Sequence, residues 1–299
     1  LALGVTAAVG AVAYILAAPL AGRLSDRHDR RRLAAWGAVS LTACAIAAWQ
    51  APVLWLLIAL QVLMGLGKAL YWPPVQATVG DLTPHHRRGP VLGRFNLAWS
   101  VGKGLGFVLG GLLLAHAGFE AAFLAGAAAV VAAAVLLPRR RVRGHQAAPE
   151  PSAPDGADDT RLPAAFLGQA WLANTGAYSA FGILTYHLPQ WFAQRDWPAD
   201  RYGWFLGAIL AAQTLVFLWL GLGRRRDWSP WRLWGPQLAC LAAVAVLPVW
   251  QSFGLLLLTA PVVGVGCGVS YQASLVASLH EAAGRGRRAG IHEGLIGAG

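Results

Sequence analysis

The chain has 299 residues, 57% of them hydrophobic and 12% charged, with a mean hydropathy of +0.51, a balance outside that of ordinary soluble domains. Its net charge of +11 does not point to nucleic acid, because Lys and Arg fall in short clusters between apolar runs instead of along one face. Cys44, Cys240 and Cys267 lie inside apolar runs without metal-ligand spacing, so they read as small packing residues and imply no disulfide framework.

In chain order the apolar segments cover roughly 1 to 22, 34 to 50, 53 to 80, 91 to 115, 119 to 138, 163 to 188, 203 to 223, 232 to 250 and 253 to 282, close to the ~20 residues a helix needs to cross hydrocarbon. Another begins near Ala289 and runs to Gly299. The runs are Ala/Leu/Gly-rich and lack the period-two alternation of a barrel wall, which predicts an all-α fold, a polytopic transmembrane helix bundle.

Orientation follows from the basic residues. Assigning Arg23 to Arg32, Arg87 to Arg94, Arg139 to Arg161, Arg224 to Arg232 and Arg285 to Arg288 to one side places 20 of the 24 Lys and Arg there. That side should be cytoplasmic in a protein of the cytoplasmic membrane. The aromatic loop Pro189 to Tyr202 then falls at the outer interface, where amphipathic rings are favoured.

Residues 139 to 163 read RRRVRGHQAAPEPSAPDGADDTRLP, rich in Pro, Ala and charge. The expected organisation is an N-terminal bundle (1–138), a cytoplasmic linker (139–162) and a C-terminal bundle (163–299). The halves repeat at a spacing of about 199 residues: Gly22 matches Gly221, Gly65-Leu-Gly67 matches Gly264-Val-Gly266, and Arg87-Arg88 matches Arg287-Arg288 within one residue. Parallel repeats of this kind place a solute site between two halves that can rock.

Residues 22 to 32, GRLSDRHDRRR, resemble the loop motif after the second helix of major facilitator proteins, G-x-L-x-D-R-x-G-R-R-R. Gly22, Leu24, Asp26, Arg27, Arg30, Arg31 and Arg32 match; His28 replaces the usual aromatic and Asp29 the usual glycine. GDLTPHHRRGPVLGRFN is similar to the family's junction of helices four and five. GKGLGFVLGG at 102 to 111 is similar to its helix-five antiporter motif, with Phe107 where proline is typical. The resemblance implies two pseudo-symmetric six-helix halves, truncated here to helices two to ten with part of eleven. It also implies a secondary transporter moving a small solute across the lipid bilayer by alternating access, with a coupling ion as a further partner. In the family reading Asp26, Arg30 to Arg32 and Asp81 form an ionic latch on the inner gate. In the second half Arg225 stands where Asp26 would fall, and Glu281 is the candidate substitute.

Lys68 and Lys103 fall near mid-helix, where a charge is costly and functional by default. Lys103 continues a polar stripe with Asn96 and Ser100, at i, i+4 and i+7. Tyr71, Gln76, Asn174, Tyr178, Tyr271 and Gln272 join them as candidates along the solute path, with Asn174 and Tyr178 on one face. Gly102, Gly106 and Gly110 read as close helix contacts at four-residue spacing. The remaining carboxylates, Asp81, Glu281 and Glu293, are expected at or near inner helix ends. No cofactor, metal or nucleic-acid partner is expected. With no HExxH, Cys-x-x-Cys or G-x-S-x-G and no paired intramembrane carboxylates, catalysis is not expected either. A non-transporting sensor and an intramembrane enzyme are the alternative classes.

Overall fold

The computed structural model describes residues 2–84, 87–136, 164–222, 229–249, 252–281 and 283–299. Among these the elements are α1 (Ala2–Ser25), α2 (Arg30–Trp49), α3 (Leu54–Leu82), α4 (Arg88–Leu136), α5 (Ala164–Ala193), α6 (Ala199–Leu222), α7 (Pro230–Val246), α8 (Phe253–Ser278) and α9 (Arg285–Ala298), with one 3₁₀ turn at Leu247–Val249. The described residues form an all-α bundle, and α1, α2, α3, α4, α6 and α8 contain windows long and apolar enough to cross a membrane. Hydrocarbon offers the backbone no hydrogen-bond partners, so helices that satisfy their own amides are the natural outcome of such runs.

At 49 residues, α4 is too long for one crossing. It breaks at Gly118, whose φ of 83° and ψ of 177° lie in a region that glycine alone enters freely. The two halves match the separate segments expected from sequence. Between α1 and α2, Asp29 replaces the motif's glycine as an N-cap: its extended backbone lets the carboxylate accept from the amides of Arg31 (2.9 Å) and Arg32 (3.3 Å).

Large apolar side chains point outward along the bundle, among them Leu16, Trp36, Trp55, Leu215 and Leu222. On a soluble globule this would be a vast sticky surface; on a bundle of spanning helices it is the lipid face. At one end Trp191, Phe192, Trp197, Tyr202 and Phe253 pack edge to face, with Arg195 stacked 3.7 Å over Trp191.

Inside, α3 packs on α1 and α2, and α8 packs in the same way on α6 and α7. The most extensive contacts joining these groups are α1 on α9 and α4 on α6, with α3 also lying on α9. Gly22 on α1 meets the backbone of Gly286 and Gly290 on α9, and its repeat partner Gly221 on α6 meets Gly93 on α4. The expected contacts at Gly102, Gly106 and Gly110 are not found, since a side chain at any of the three would meet nothing within 4 Å. The glycines of α4 that touch another helix are Gly93, Gly104 and Gly111. Four-residue spacing marks a helix face; it does not say which face is covered. The linker 139–162 and Arg225 lie outside the described residues.

Candidate functional site

The end of the bundle that carries the Arg-rich turns is closed by charges crossing between the two helix groups. Asp26, just past α1, accepts hydrogen bonds from the amides of Gly286 (2.9 Å) and Arg287 (3.0 Å) in the first turn of α9. Those amides have no partner within their helix and sit at its positive end, so a carboxylate is favoured there. Arg30 pairs with Asp26 at 3.0 Å and also with Asp81, while Arg285 reaches Asp81 at 3.1 Å. Arg88 donates to the carbonyls of Leu279 (3.2 Å) and His280 (2.8 Å) at the end of α8. Each group therefore sends an arginine into the other: Arg285 toward α3 and Arg88 toward α8.

Among the motif arginines, Arg30 makes these contacts. Arg31 is exposed and contributes its backbone amide to the Asp29 cap, and Arg32 pairs with Asp29 at 3.6 Å. Arg27 is exposed and its amide closes the turn onto Leu24. Glu281 pairs with Arg288, inside its own half.

Lys68 and Lys103 lie farther in, about 21 Å along their helices from the latch end at the helical rise. Lys68, Trp72 and Gln76 stand one turn apart on one face of α3. Trp72 packs edge-on against Phe95 and Trp99 of α4, and Gln76 donates to Tyr271 of α8 at 3.0 Å. On α4, Asn96 donates to Gln272 of α8 (2.7 Å) and Ser100 bonds Thr214 of α6 (2.8 Å). The Lys103 ammonium sits 4.6 Å over the Phe181 ring of α5 and 5.9 Å from Trp99 and Phe107. Both stripes thus face the space between the helix groups. The two ammonium groups are accessible though surrounded by protein, they lie within electrostatic reach of each other, and neither has a hydrogen-bond or ion-pair partner among the described residues.

Rings line the region between lysines and latch. Tyr271 meets Trp99 (5.3 Å), Phe217 (5.8 Å) and Tyr178 (5.9 Å), and Tyr71 packs edge-on against Trp72 (5.0 Å). The Tyr178 hydroxyl accepts from Gln213 at 3.1 Å. Asn174 is fully buried and both its side-chain polar atoms lack a protein partner.

One sequence expectation is overturned. Glu293 is not at a helix end: it lies eight residues into α9, is 5% exposed, and is bonded by Tyr14 of α1 and Gln76 of α3, with the Tyr271 hydroxyl of α8 at 3.4 Å. Beside it, buried His292 bonds Ser274 through Nδ1 at 2.6 Å and leaves Nε2 without a partner, 3.9 Å from the Glu293 carboxylate. Asn96 crosses to Gln272 from the N-terminal helices, and Glu293 meets Gln76 from the C-terminal ones.

Two groups of helices thus meet along a polar, ring-lined space, with charges crossing between them at one end. Residues 1–298 match the profile of the Major Facilitator Superfamily, and the chain belongs to that family of multi-pass membrane transporters. It is 33% identical over 104 residues to the sphingosine-1-phosphate transporter SPNS2 of Danio rerio, a match covering 33% of this chain and 20% of that protein. Over 134 residues it is 33% identical to a multi-drug resistance efflux pump PmrA homolog of Lactococcus lactis subsp. lactis, covering 45% of this chain and 33% of that protein. The matched stretches span a fifth to a third of these relatives. Its fold is similar to that of the human organic anion transporter MFSD10 (TETRAN), with a TM-score of 0.59 at 21% identity over 99% of this chain and 76% of that one.

Proposed function

We propose that this chain forms the two-bundle core of a secondary transporter that moves a small anionic solute across the cytoplasmic membrane by alternating access. The Arg-rich ends face the cytoplasm. The bundles divide as 1–138 and 163–299, and they rock about the space between them. The conformation described here is the one with the cytoplasmic gate shut by Asp26, Arg30, Asp81 and Arg285. The observation that carries the reading is the Lys103 ammonium over Phe181 of the opposite bundle, with Lys68 within electrostatic reach and no carboxylate ion-paired to either among the described residues. A cation at membrane depth costs about 2.5–3.5 kcal/mol on insertion scales, a cost that function has to justify. Two such cations on the space between the bundles attract anions and repel cations, with the Glu293 carboxylate within reach of Lys103 offsetting them only in part. The rings of Trp72, Trp99 and Phe181 add apolar surface for the organic part of a solute. Among relatives, SPNS2 is named for a phosphate ester, consistent with this charge preference.

The test is ligand-induced thermal stabilisation of the purified transporter, with a panel of organic carboxylates, phosphate monoesters, neutral sugars and quaternary amines. Anions should stabilise the wild type, with Lys103→Ala losing most of that effect and Lys68→Ala part of it. A preference for amines or sugars, or an anion response that both alanine variants retain, would refute the reading.

A further inference from the structure

We infer that Lys103 and Phe181 form a tie between the two bundles, and that an anionic solute releases it. The inference rests on the reading above, in which an anion binds beside Lys103, and adds how that binding is felt by the gate. It starts from a cation whose partner is a ring. The Lys103 ammonium, on α4, sits 4.6 Å from the centroid of Phe181, on α5. Trp99 and Phe107 lie 5.9 Å from the same ammonium, but they stand one turn to either side of Lys103 on its own helix. Among the described residues, Phe181 is the ring that carries the attraction across to the other bundle.

The two partners differ in freedom. Phe181 is 6% exposed, packed in the apolar core of the C-terminal helices with the Tyr178 ring at 6.1 Å. The lysine is a point charge on a flexible four-carbon stem, and it is accessible. The ring therefore stays and the ammonium moves. Nor do α4 and α5 share a packed seam: α4 rests on α6, and α5 rests on α8, α9 and α7. Their separation is free to change as the bundles rock. Attraction to a ring face is confined to within about 6 Å, so a separation of roughly 1.5 Å undoes the contact.

An anion competes for the same charge. A carboxylate or phosphate oxygen offers full charge and an acceptor in line with an N–H, which the face of a ring does not, so the ammonium leaves Phe181 when such a group arrives. The contact removed is one made in the conformation with the cytoplasmic gate shut. Losing it lowers the preference for that conformation, and a ligand shifts an equilibrium by such a difference. The empty protein is thus held closed on the cytoplasmic side more firmly than the loaded one. No covalent bond is made or broken.

The experiment places spin labels on cysteines introduced at His28, in the α1–α2 turn, and Ala283, in the α8–α9 turn, both exposed, with the buried native cysteines left in place. The distance distribution is recorded in liposomes, first without added anion. Phe181→Leu, which keeps apolar bulk and removes the ring, should raise the long-distance population about five- to thirtyfold, the range of a cation–ring contact. Lys103→Met should do the same from the other helix, and the double variant should add little to either. Phe181→Tyr should hold the wild-type ratio, and Phe107→Leu should move it less than about twofold. The carboxylate or phosphate monoester that most stabilises the wild type in the thermal panel is then added in excess. It should raise the long-distance population of the wild type and leave that of Phe181→Leu nearly unchanged. A ratio unmoved by Phe181→Leu, or moved as much by Phe107→Leu, would overturn the tie. An anion response as large in Phe181→Leu as in the wild type would overturn its release by solute. Were no anion in the panel to stabilise the wild type, the anion site and the release step would fall together, and the shift in Phe181→Leu would still report the tie. A ratio that Asp26→Asn also leaves unmoved would remove the gate reading itself.

Discussion

The two seams that join the helix groups, α1 on α9 and α4 on α6, begin from equivalent glycines and end differently. At α1 on α9, a Cβ on Gly22 would fall on the backbone of Gly286, closer than atoms tolerate. At α4 on α6, a Cβ on Gly221 would meet Gly93 at 3.5 Å, an ordinary contact, although one on Gly93 would fall 2.7 Å from the Gly221 backbone. The first seam ends in charges, with Asp26 on the α9 amides and the Arg30, Asp81 and Arg285 cluster beyond. The second runs from Gly93 to Gly111 through glycine contacts and the Ser100–Thr214 bond. Close contact reinforced at one end by separable charges suits a gate; contact spread along a helix suits an axis about which the gate turns.

The sharpest way to break this comparison is to add one methyl group at each matched glycine. Gly22→Ala should force α1 and α9 apart and shift the gate away from the closed state by about 1–3 kcal/mol, the usual cost of overpacking, which is roughly 5- to 150-fold. Gly221→Ala should change the same ratio by less than about twofold. Both are read from the distance distribution between labels at positions 28 and 283. Equal effects would mean the seams are mechanically alike.

Within the latch, Asp81 should matter more than Asp26. Asp81→Asn leaves Arg285, 4% exposed, without its anion, and removing one partner of a nearly buried pair is costly. Because Asp81 itself is 25% exposed, about 2 kcal/mol is the appropriate scale, near thirtyfold in gate population. Asp26→Asn keeps an oxygen for the α9 amides and loses charge alone, about 1 kcal/mol or fivefold. Transport by the whole protein should slow in the same order while expression holds. If the Asp26 variant is the slower, the helix terminus rather than the arginine pairing controls closure.

Much of this was legible in the sequence because membranes simplify the code. Apolar runs of spanning length give the helices, Arg-rich turns give one end, and the repeat of Gly22 at Gly221 anticipates the paired seams. Lys68 and Lys103 stand out since a cation in an apolar run has few structural excuses. Glu293 was hidden for a physical reason: α9 begins with Arg285, Arg287 and Arg288, so its polar first turns resemble a loop edge, and burial comes from α1, α3 and α8, hundreds of residues away in places. The glycine stripe at 102, 106 and 110 misled in the opposite direction, since periodicity shows that a helix has a face and not what covers it.

The smallest expected effect tests the axis itself. Ser100 donates to or accepts from Thr214 at 2.8 Å, with the Leu210 carbonyl at 3.4 Å. Ser100→Ala should cost about 1 kcal/mol, the net value of a typical buried hydrogen bond. If α4 and α6 stay packed in both gate states, that loss is the same in each and cancels from the equilibrium between them. The ratio of populations at positions 28 and 283 should then move by less than about twofold, while the thermal midpoint falls by about 2–4 °C. Thr214→Val, which removes the same bond from the other helix, should do no more, and the double variant should add little to either, as expected for two partners in one interaction. A gate shift as large as that of Asp26→Asn would mean that this bond exists in one state alone, so that α4 slides on α6 during opening and both seams move.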